Sequence, residues 1–293
     1  MMAPKSESRA TPPRTFRRRG ERSALASVLL HATLVGASFI AIFPILWILT
    51  ISLRPGFAGS SEVHLFEPSS LDNYRYILTN TKFVSWLWNS IAVAFFTTLI
   101  GIFLSATAGY ALSRFRFPGH RPLMWTFLVT QMFPVAILIV PLYNMMNKLG
   151  WVNTHTSLVF AYATVAVPFC TWMLKGYFDA IPVEIDEAGR VDGLTPIGTF
   201  WRLIVPLARP GLAVTAFYSF LTAWGEVAYA TAFITSDEKK TLAVGLQTFV
   251  TQFKQEWGYL AAASILITIP AAAVFFFAQK HLVAGLTAGG TKG

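Results

Sequence analysis

Cysteine is all but missing. Cys170 is the only one among 293 residues, so no internal disulfide can form. It lies in an apolar run and reads as a small buried hydrophobe. The histidines, His31, His64, His120, His155 and His281, stand one by one, which leaves no cluster with metal-ligand spacing. There is no nucleophile–base constellation, no phosphate-binding loop and no dinucleotide fingerprint. Convergent titratable groups are also missing from the apolar runs, which argues against a membrane-embedded enzyme. Charge is scarce: 13% of residues are charged and 54% hydrophobic. That balance, with several apolar runs long enough to cross a bilayer, is the composition of an integral membrane protein.

Six spans can be marked out: about 24–53, 84–112, 122–146, 157–177, 210–234 and 259–283. Each exceeds the roughly 20 residues that cross about 30 Å of hydrocarbon. Pro44 is expected to kink the first span, and Pro134 and Pro141 to break the third. Trp86 and Trp88 mark the entry of the second at the membrane interface. Before the first span, residues 1–23 are polar, basic and proline-containing, with Arg17, Arg18 and Arg19 consecutive. They read as a disordered tail. A cleavable signal peptide is disfavoured, because the apolar run that follows is too long and ends in no small-residue cleavage site.

The net charge of +9 reports topology rather than nucleic acid. With the N-terminus inside, the cytoplasmic segments carry 16 of the 23 Lys and Arg residues. The seven outside are largely offset by Glu62, Glu67, Asp72, Asp237, Glu238 and Glu256. This is a positive-inside asymmetry. An even number of spans then puts both termini in the cytoplasm.

The same orientation puts Ile181–Pro210 inside, a polar stretch between apolar runs. It reads as two short helices joined by a glycine turn. Ile181, Ile185 and Ala188 form the apolar face of the first, and Glu184, Asp186 and Glu187 crowd its first turns, where the dipole favours negative charge. Gly193 suits a left-handed end. Thr195 offers an N-cap and Pro196 a pre-set first position. Ile197, Phe200, Trp201 and Ile204 share one face of the second helix, and Pro206 stops it. A solvated loop with two amphipathic turns is the plain alternative.

Glu187-Ala188, Gly193 six residues after the Glu, and Pro206 thirteen after the Gly resemble the EAA loop of bacterial ABC-importer permeases. Gly189 stands for the motif's second Ala, Leu203 for its Ile and Val205 for its Leu. Gly189 should loosen the first helix by about 1 kcal/mol relative to Ala. Further segments are similar to the MalG subunits of maltose/maltodextrin importers: Phe43-Pro44, Ile51-Ser-Leu-Arg54, Leu87-Trp-Asn-Ser90, Arg116-Phe-Pro-Gly119, Gln131-Met-Phe-Pro134, Asn153-Thr-His155, Lys175-Gly-Tyr-Phe178, Thr241-Leu-Ala-Val-Gly245 and Gly285-Leu-Thr-Ala-Gly-Gly-Thr-Lys-Gly293. The resemblance covers residues 24–293.

The resemblance implies an all-α, six-span permease of the type I ABC-importer (MetI-like) fold in the bacterial cytoplasmic membrane. It implies a non-catalytic subunit of a binding-protein-dependent sugar importer, for maltodextrin or else trehalose or another oligosaccharide. Its partners would be a MalF-like second permease subunit, a MalK-like ATPase dimer that binds the ATP and magnesium, and an extracytoplasmic sugar-binding protein. No cofactor is expected in this chain. The EAA-like loop would be the coupling helix, with Glu187, Ala188, Asp192, Gly193, Phe200, Trp201 and Pro206 at the ATPase. The glycine-rich tail, residues 284–293, would extend between the ATPase subunits through Gly289, Gly290 and Gly293. The outer loop Ser236–Gly258 would reach the binding protein with Lys239, Lys240, Gln252 and Lys254 as polar tips.

Two readings stay open. Prolines in spans three, four and six mark either kinked packing helices or a water-accessible pathway among spans three to five. Gln131, Asn144 and Glu226 favour the pathway, because an intramembrane acid is functional by default. Glu226 either faces that pathway or bonds a neighbouring helix. The rival of another class, an ion-coupled secondary transporter, should show inverted repeats and midplane ion ligands, and no repeat is visible. The segment Arg54–Phe83 is expected to hold an interfacial helix with Leu71, Tyr74 and Leu78 on one face.

Overall fold

The structure, a computed structural model, describes residues 24–54, 69–251 and 254–290. The tail 1–23, Gln252 and Gly293 lie outside the described residues. The chain divides into two compact units, residues 1–47 and residues 48–293. The described part of the first is most of helix α1, Ala24–Ser52, an apolar helix with Pro44 inside it.

The second unit holds α2 (Asp72–Asn80), α3 (Phe83–Arg114), α4 (His120–Thr130), α5 (Val135–Lys148), α6 (His155–Asp179), α7 (Glu184–Val191), α8 (Pro196–Thr199), α9 (Val205–Leu207), α10 (Arg209–Trp224), α11 (Ala228–Phe233), α12 (Leu242–Leu246) and α13 (Trp257–Gly290). A two-residue hairpin pairs Val250 with Gln255 and Thr251 with Lys254. The expected all-α polytopic architecture holds. Four helices are individually long and apolar enough to span, namely α1, α3, α6 and α13.

The other two spans are broken. Between α4 and α5 the chain bends by 106° through Gln131–Pro134, so only the first of the two prolines breaks span three; Pro141 lies inside α5. The stretch expected as one helix over 210–234 is α10 and α11, interrupted at Gly225–Val227. The last span continues as helix to Gly290, past the start expected for the tail.

Helices α3, α6 and α10 form the centre, with α13 against α10. Small residues let them approach, as they do where no hydrophobic force separates protein from lipid. A Cβ on Gly109 would lie 3.2 Å from the Thr171 carbonyl oxygen, and one on Gly101 would lie 3.2 Å from Ser219 Oγ. Cys170 is fully buried in this seam, its Sγ 3.4 Å from Ser219 Oγ. It is the small core residue its apolar surroundings predict.

In α2 the buried face is Asn73 and Ile77, while Leu71 and Leu78 are exposed. The expected face of Leu71, Tyr74 and Leu78 is therefore rotated. Asn73 Nδ2 donates to the carbonyls of Ser52 and Arg54 at 2.9 and 2.7 Å, satisfying acceptors that the end of α1 leaves open, while Ile77 enters an apolar cluster that Tyr74 packs against.

Candidate coupling element and outer loop

Helix α7 begins with Glu184, Asp186 and Glu187 in its first turn. The two consecutive acids have opposite surroundings. Asp186 is 3% exposed, whereas Glu187 lies on the open face with Ala188 and Asp192. Asp186 Oδ1 accepts from the Tyr110 hydroxyl at 2.6 Å, and Oδ2 from Arg114 Nε at 2.8 Å. The same guanidinium donates to the carbonyls of Phe178 at 2.9 Å and Ile181 at 3.0 Å. Beside it, Ser113 Oγ donates to Asp179, which also pairs with Lys175.

Gly193 turns the chain with φ +80°, and Thr195 caps α8 by accepting from the Gly198 amide at 3.1 Å. Both follow the expected local code. Gly189 has a role that propensity alone does not reveal. It is buried, and a Cβ there would sit 2.8 Å from Thr199 Oγ1 and 3.0 Å from Leu203 Cδ1. The residue that loosens α7 is thus also what lets α7 close onto the second helix.

The second helix departs from expectation. After α8 it widens into a π-helical turn, Phe200–Ile204, before α9. Ile197 is 72% exposed, but Phe200 is 4% exposed and Ile204 wholly buried. Phe200 packs on Tyr110 and Phe178, with ring centroids 4.9 and 6.3 Å away. Trp201 is half exposed yet stacks on Phe103 of α3 at 6.5 Å. Phe200 is therefore no free anchor for another chain, since it serves this chain's own core; Trp201 rests against α3 and keeps half its surface open. Of the apolar side chains left open, Val191, 87% exposed, and Ile197 are the most exposed, ahead of Val183, Trp201 and Leu207. Sequence reasoning missed Val191, although it follows Ala188, itself exposed, at helical spacing. Pro206 is exposed in α9, and the chain bends by 83° into α10.

The three polar residues expected at membrane depth do not converge through hydrogen bonds. Gln131 donates to the Val165 carbonyl at 3.2 Å, joining the α4–α5 bend to α6. Asn144 is exposed on α5. Glu226 sits in the break between α10 and α11 and accepts from the amides of Tyr229 and Ala230 at 2.9 and 3.2 Å. Its carboxylate satisfies donors that the start of a helix leaves open.

On the opposite side, the segment after α11 is anchored. Lys82 pairs with Glu238 at 2.6 Å and Asp237 at 3.2 Å. Asn89 Nδ2 donates to the carbonyls of Glu238 and Lys240, and Trp86 Nε1 to that of Asp237. Asn153 adopts φ +60°, a left-handed conformation that Asn tolerates better than most residues. There its Oδ1 accepts from the Thr235 and Ser236 amides. Lys239 Nζ donates to the Asn153 carbonyl at 2.9 Å, and Lys240 pairs with Asp237 at 2.8 Å. Lys239 and Lys240 are therefore ties at the loop's base, a correction to their reading as polar tips. Lys254 belongs to the hairpin, and Gly289 and Gly290 end α13.

The geometry defines a class: a polytopic helical membrane protein carrying a braced, short-helix element between two of its spans. The chain belongs to the family described as binding-protein-dependent transport system inner membrane component, whose model matches residues 99–288. Among its relatives is the maltodextrin transport system permease protein MalD of Streptococcus pneumoniae, 33% identical over 92% of this chain and 96% of its own length. The trehalose transport system permease protein SugB of Mycobacterium tuberculosis is 36% identical over 94% of this chain and all of its own. The maltose/maltodextrin permease MalG of Photorhabdus laumondii is 38% identical over 90% and 96%. Among solved structures, a bacterial ABC transporter for import of the polysaccharide alginate superposes with a TM-score of 0.75, covering 89% of this chain and 99% of that one at 24% identity. The methionine transporter MetNI gives 0.56 over 69% and 94% at 21% identity. These two establish the fold, that of ABC-importer permeases.

Proposed function

We propose that this chain is the MalG-like permease subunit of an ATP-driven importer for an α-glucoside, with maltodextrin as the leading substrate. The observation that carries the reading is the two-sided α7–α8 element. Its inner side is locked to α3 and α6, and its outer side presents Glu187, Ala188, Val191, Asp192 and Ile197. A short helix pair braced by its own chain and open on an acidic and apolar face suits docking into a partner that moves. That partner is a MalK-like ATPase dimer, which binds the ATP; this chain is non-catalytic. A MalF-like subunit completes the pathway, and a soluble sugar-binding protein meets the outer face. Both termini and Arg116–Arg121 are cytoplasmic, in line with the Lys and Arg excess there.

In this mechanism, closure of the ATPase dimer moves α7 and α8, the spans rock to open outward, and hydrolysis returns them. Glu226 holds the α10–α11 break in shape while Gln131 and Asn144 border the pathway. The tail at Gly289 and Gly290 reaches the ATPase, since glycine permits close approach. Trehalose is the second reading, favoured by the full-length match to the trehalose permease. Sugar uptake into membrane vesicles holding the assembled importer and its binding protein decides between them. Uptake of maltodextrin in preference to trehalose is expected. Preference for trehalose selects the second reading, and transport of neither overturns both.

A further inference from the structure

The coupling element is bound to the membrane helices by one buried polar joint that docking itself does not require. Helix α7 has eight residues, about 12 Å of helix, too short to persist without support. Much of the support comes through Asp186. Both carboxylate oxygens are engaged, one by Tyr110 and one by Arg114. Arg114 is the last residue of α3, and its remaining nitrogens hold the Phe178 and Ile181 carbonyls where α6 ends. A single guanidinium therefore joins three elements: the end of α3, the end of α6 and the first turn of α7. The ion pair is buried, with side chains 8% and 4% exposed.

Such a pair is a poor device for stability alone, because desolvation offsets most of its attraction. Its distinctive property is direction. An apolar contact lets a helix roll or slide at little cost, whereas a planar fork with fixed acceptors permits one orientation. Tyr110 adds to this by packing its ring on Phe178 and Phe200, at 6.0 and 4.9 Å. The carboxylate is thus located from the π-helical turn as well as from α3 and α6.

We infer that Asp186, clamped by Arg114 and Tyr110, is a positioning residue that makes α7 move as one body with α3 and α6. Through it, displacement of the exposed Glu187–Val191 face by the ATPase reaches the transport pathway. The inference rests on the proposed docking role of α7. Glu187 and Asp186 divide the work: the first faces the partner and the second transmits.

The test uses the importer purified with its own ATPase, second permease subunit and binding protein in proteoliposomes. The substitutions are Asp186→Asn and Arg114→Lys. The first keeps the shape and removes the charge; the second keeps the charge and removes the fork to Phe178 and Ile181. Both are expected to retain the ATPase on purification and to continue hydrolysing ATP. Sugar transported per ATP should fall at least tenfold, and Asp186→Glu should restore part of it. Wild-type transport per ATP in both variants overturns the inference. So does loss of the ATPase together with transport in both, since the joint would then serve folding or docking. If Asp186→Asn alone fails to reach the membrane, Arg114→Lys decides. Val191→Arg separates the underlying reading: retention of the ATPase in that variant removes the docking role of α7, whatever Asp186→Asn does.

Discussion

Single residues divide into those proposed to face a partner and those that hold this chain together. Phe200→Ala should destabilise the permease itself by about 3–5 kcal/mol, the usual cost of truncating a buried aromatic. The check is thermal unfolding of the detergent-solubilised chain, and a wild-type midpoint would contradict the buried packing. Val191 and Ile197 behave differently. Each is largely exposed in this chain, so Val191→Ala or Ile197→Ala should leave that midpoint unchanged while weakening ATPase retention, by about 2 kcal/mol if either is a hot spot. Glu187→Ala removes at most an exposed ion pair of about 0.2–1 kcal/mol. It should lower uptake more than co-purification of the ATPase. At this scale the sequence was only partly legible. The Gly193 turn and Thr195 cap are local and follow from residue type. The opposite fates of Asp186 and Glu187 do not, because adjacent acids in a first turn satisfy the dipole equally. Only Tyr110 and Arg114, distant in sequence, tell them apart. Phe200 reads as an anchor for the same reason: apolar spacing identifies a face but not which protein covers it.

Among the elements, the segment after α11 has an electrostatic base whose pH response can be stated. Hydrogen bonds from Lys240 and Lys82 hold the Asp237 carboxyl below its ordinary value, and the bond from Lys82 does the same for Glu238. The bond with Glu238, followed by that with Asp237, raises the Lys82 ammonium above its own. For the lowered carboxyls, stabilisation is complete above their ordinary value and is lost as pH falls through the lowered one. For lysine it is complete below the ordinary value and lost as pH rises through the raised one. Amide exchange at residues 237–242 should therefore be constant from about pH 5 to pH 9, apart from intrinsic chemistry, and loosen below about pH 4. Loosening already near pH 6 would contradict the assignment of this stability to the Lys82, Asp237, Glu238 and Lys240 ion pairs. Removing the hairpin at residues 250–255 should impair uptake with the ATPase still bound; undiminished uptake would make the hairpin a simple cover. The unbroken spans α1, α3 and α6 were legible to within about two residues at each end, because twenty apolar residues have few other uses. The break at Glu226 was not, since a carboxylate in an apolar run can equally be a ligand, a pathway group or, as here, a cap.

For the whole molecule, orientation is the first consequence of charge. A reporter fused after Gly293 should be active in the cytoplasm, and activity only on the far side of the membrane would reverse the proposed topology. The paired breaks carry a further consequence, for how the protein enters its membrane. Helices α4 and α5 contain 11 and 14 residues, about 16 and 21 Å of helix, each short of the roughly 30 Å of hydrocarbon. Neither can be handed to lipid as a finished span during synthesis, and between them Gln131 needs the Val165 carbonyl of α6, which emerges later. Helix α3 is therefore expected to insert alone, and α4 and α5 to stay at the insertion machinery until α6 arrives. Nascent chains ending at Lys148 should therefore remain cross-linkable to that machinery, and chains ending beyond Asp179 should be released to the bilayer.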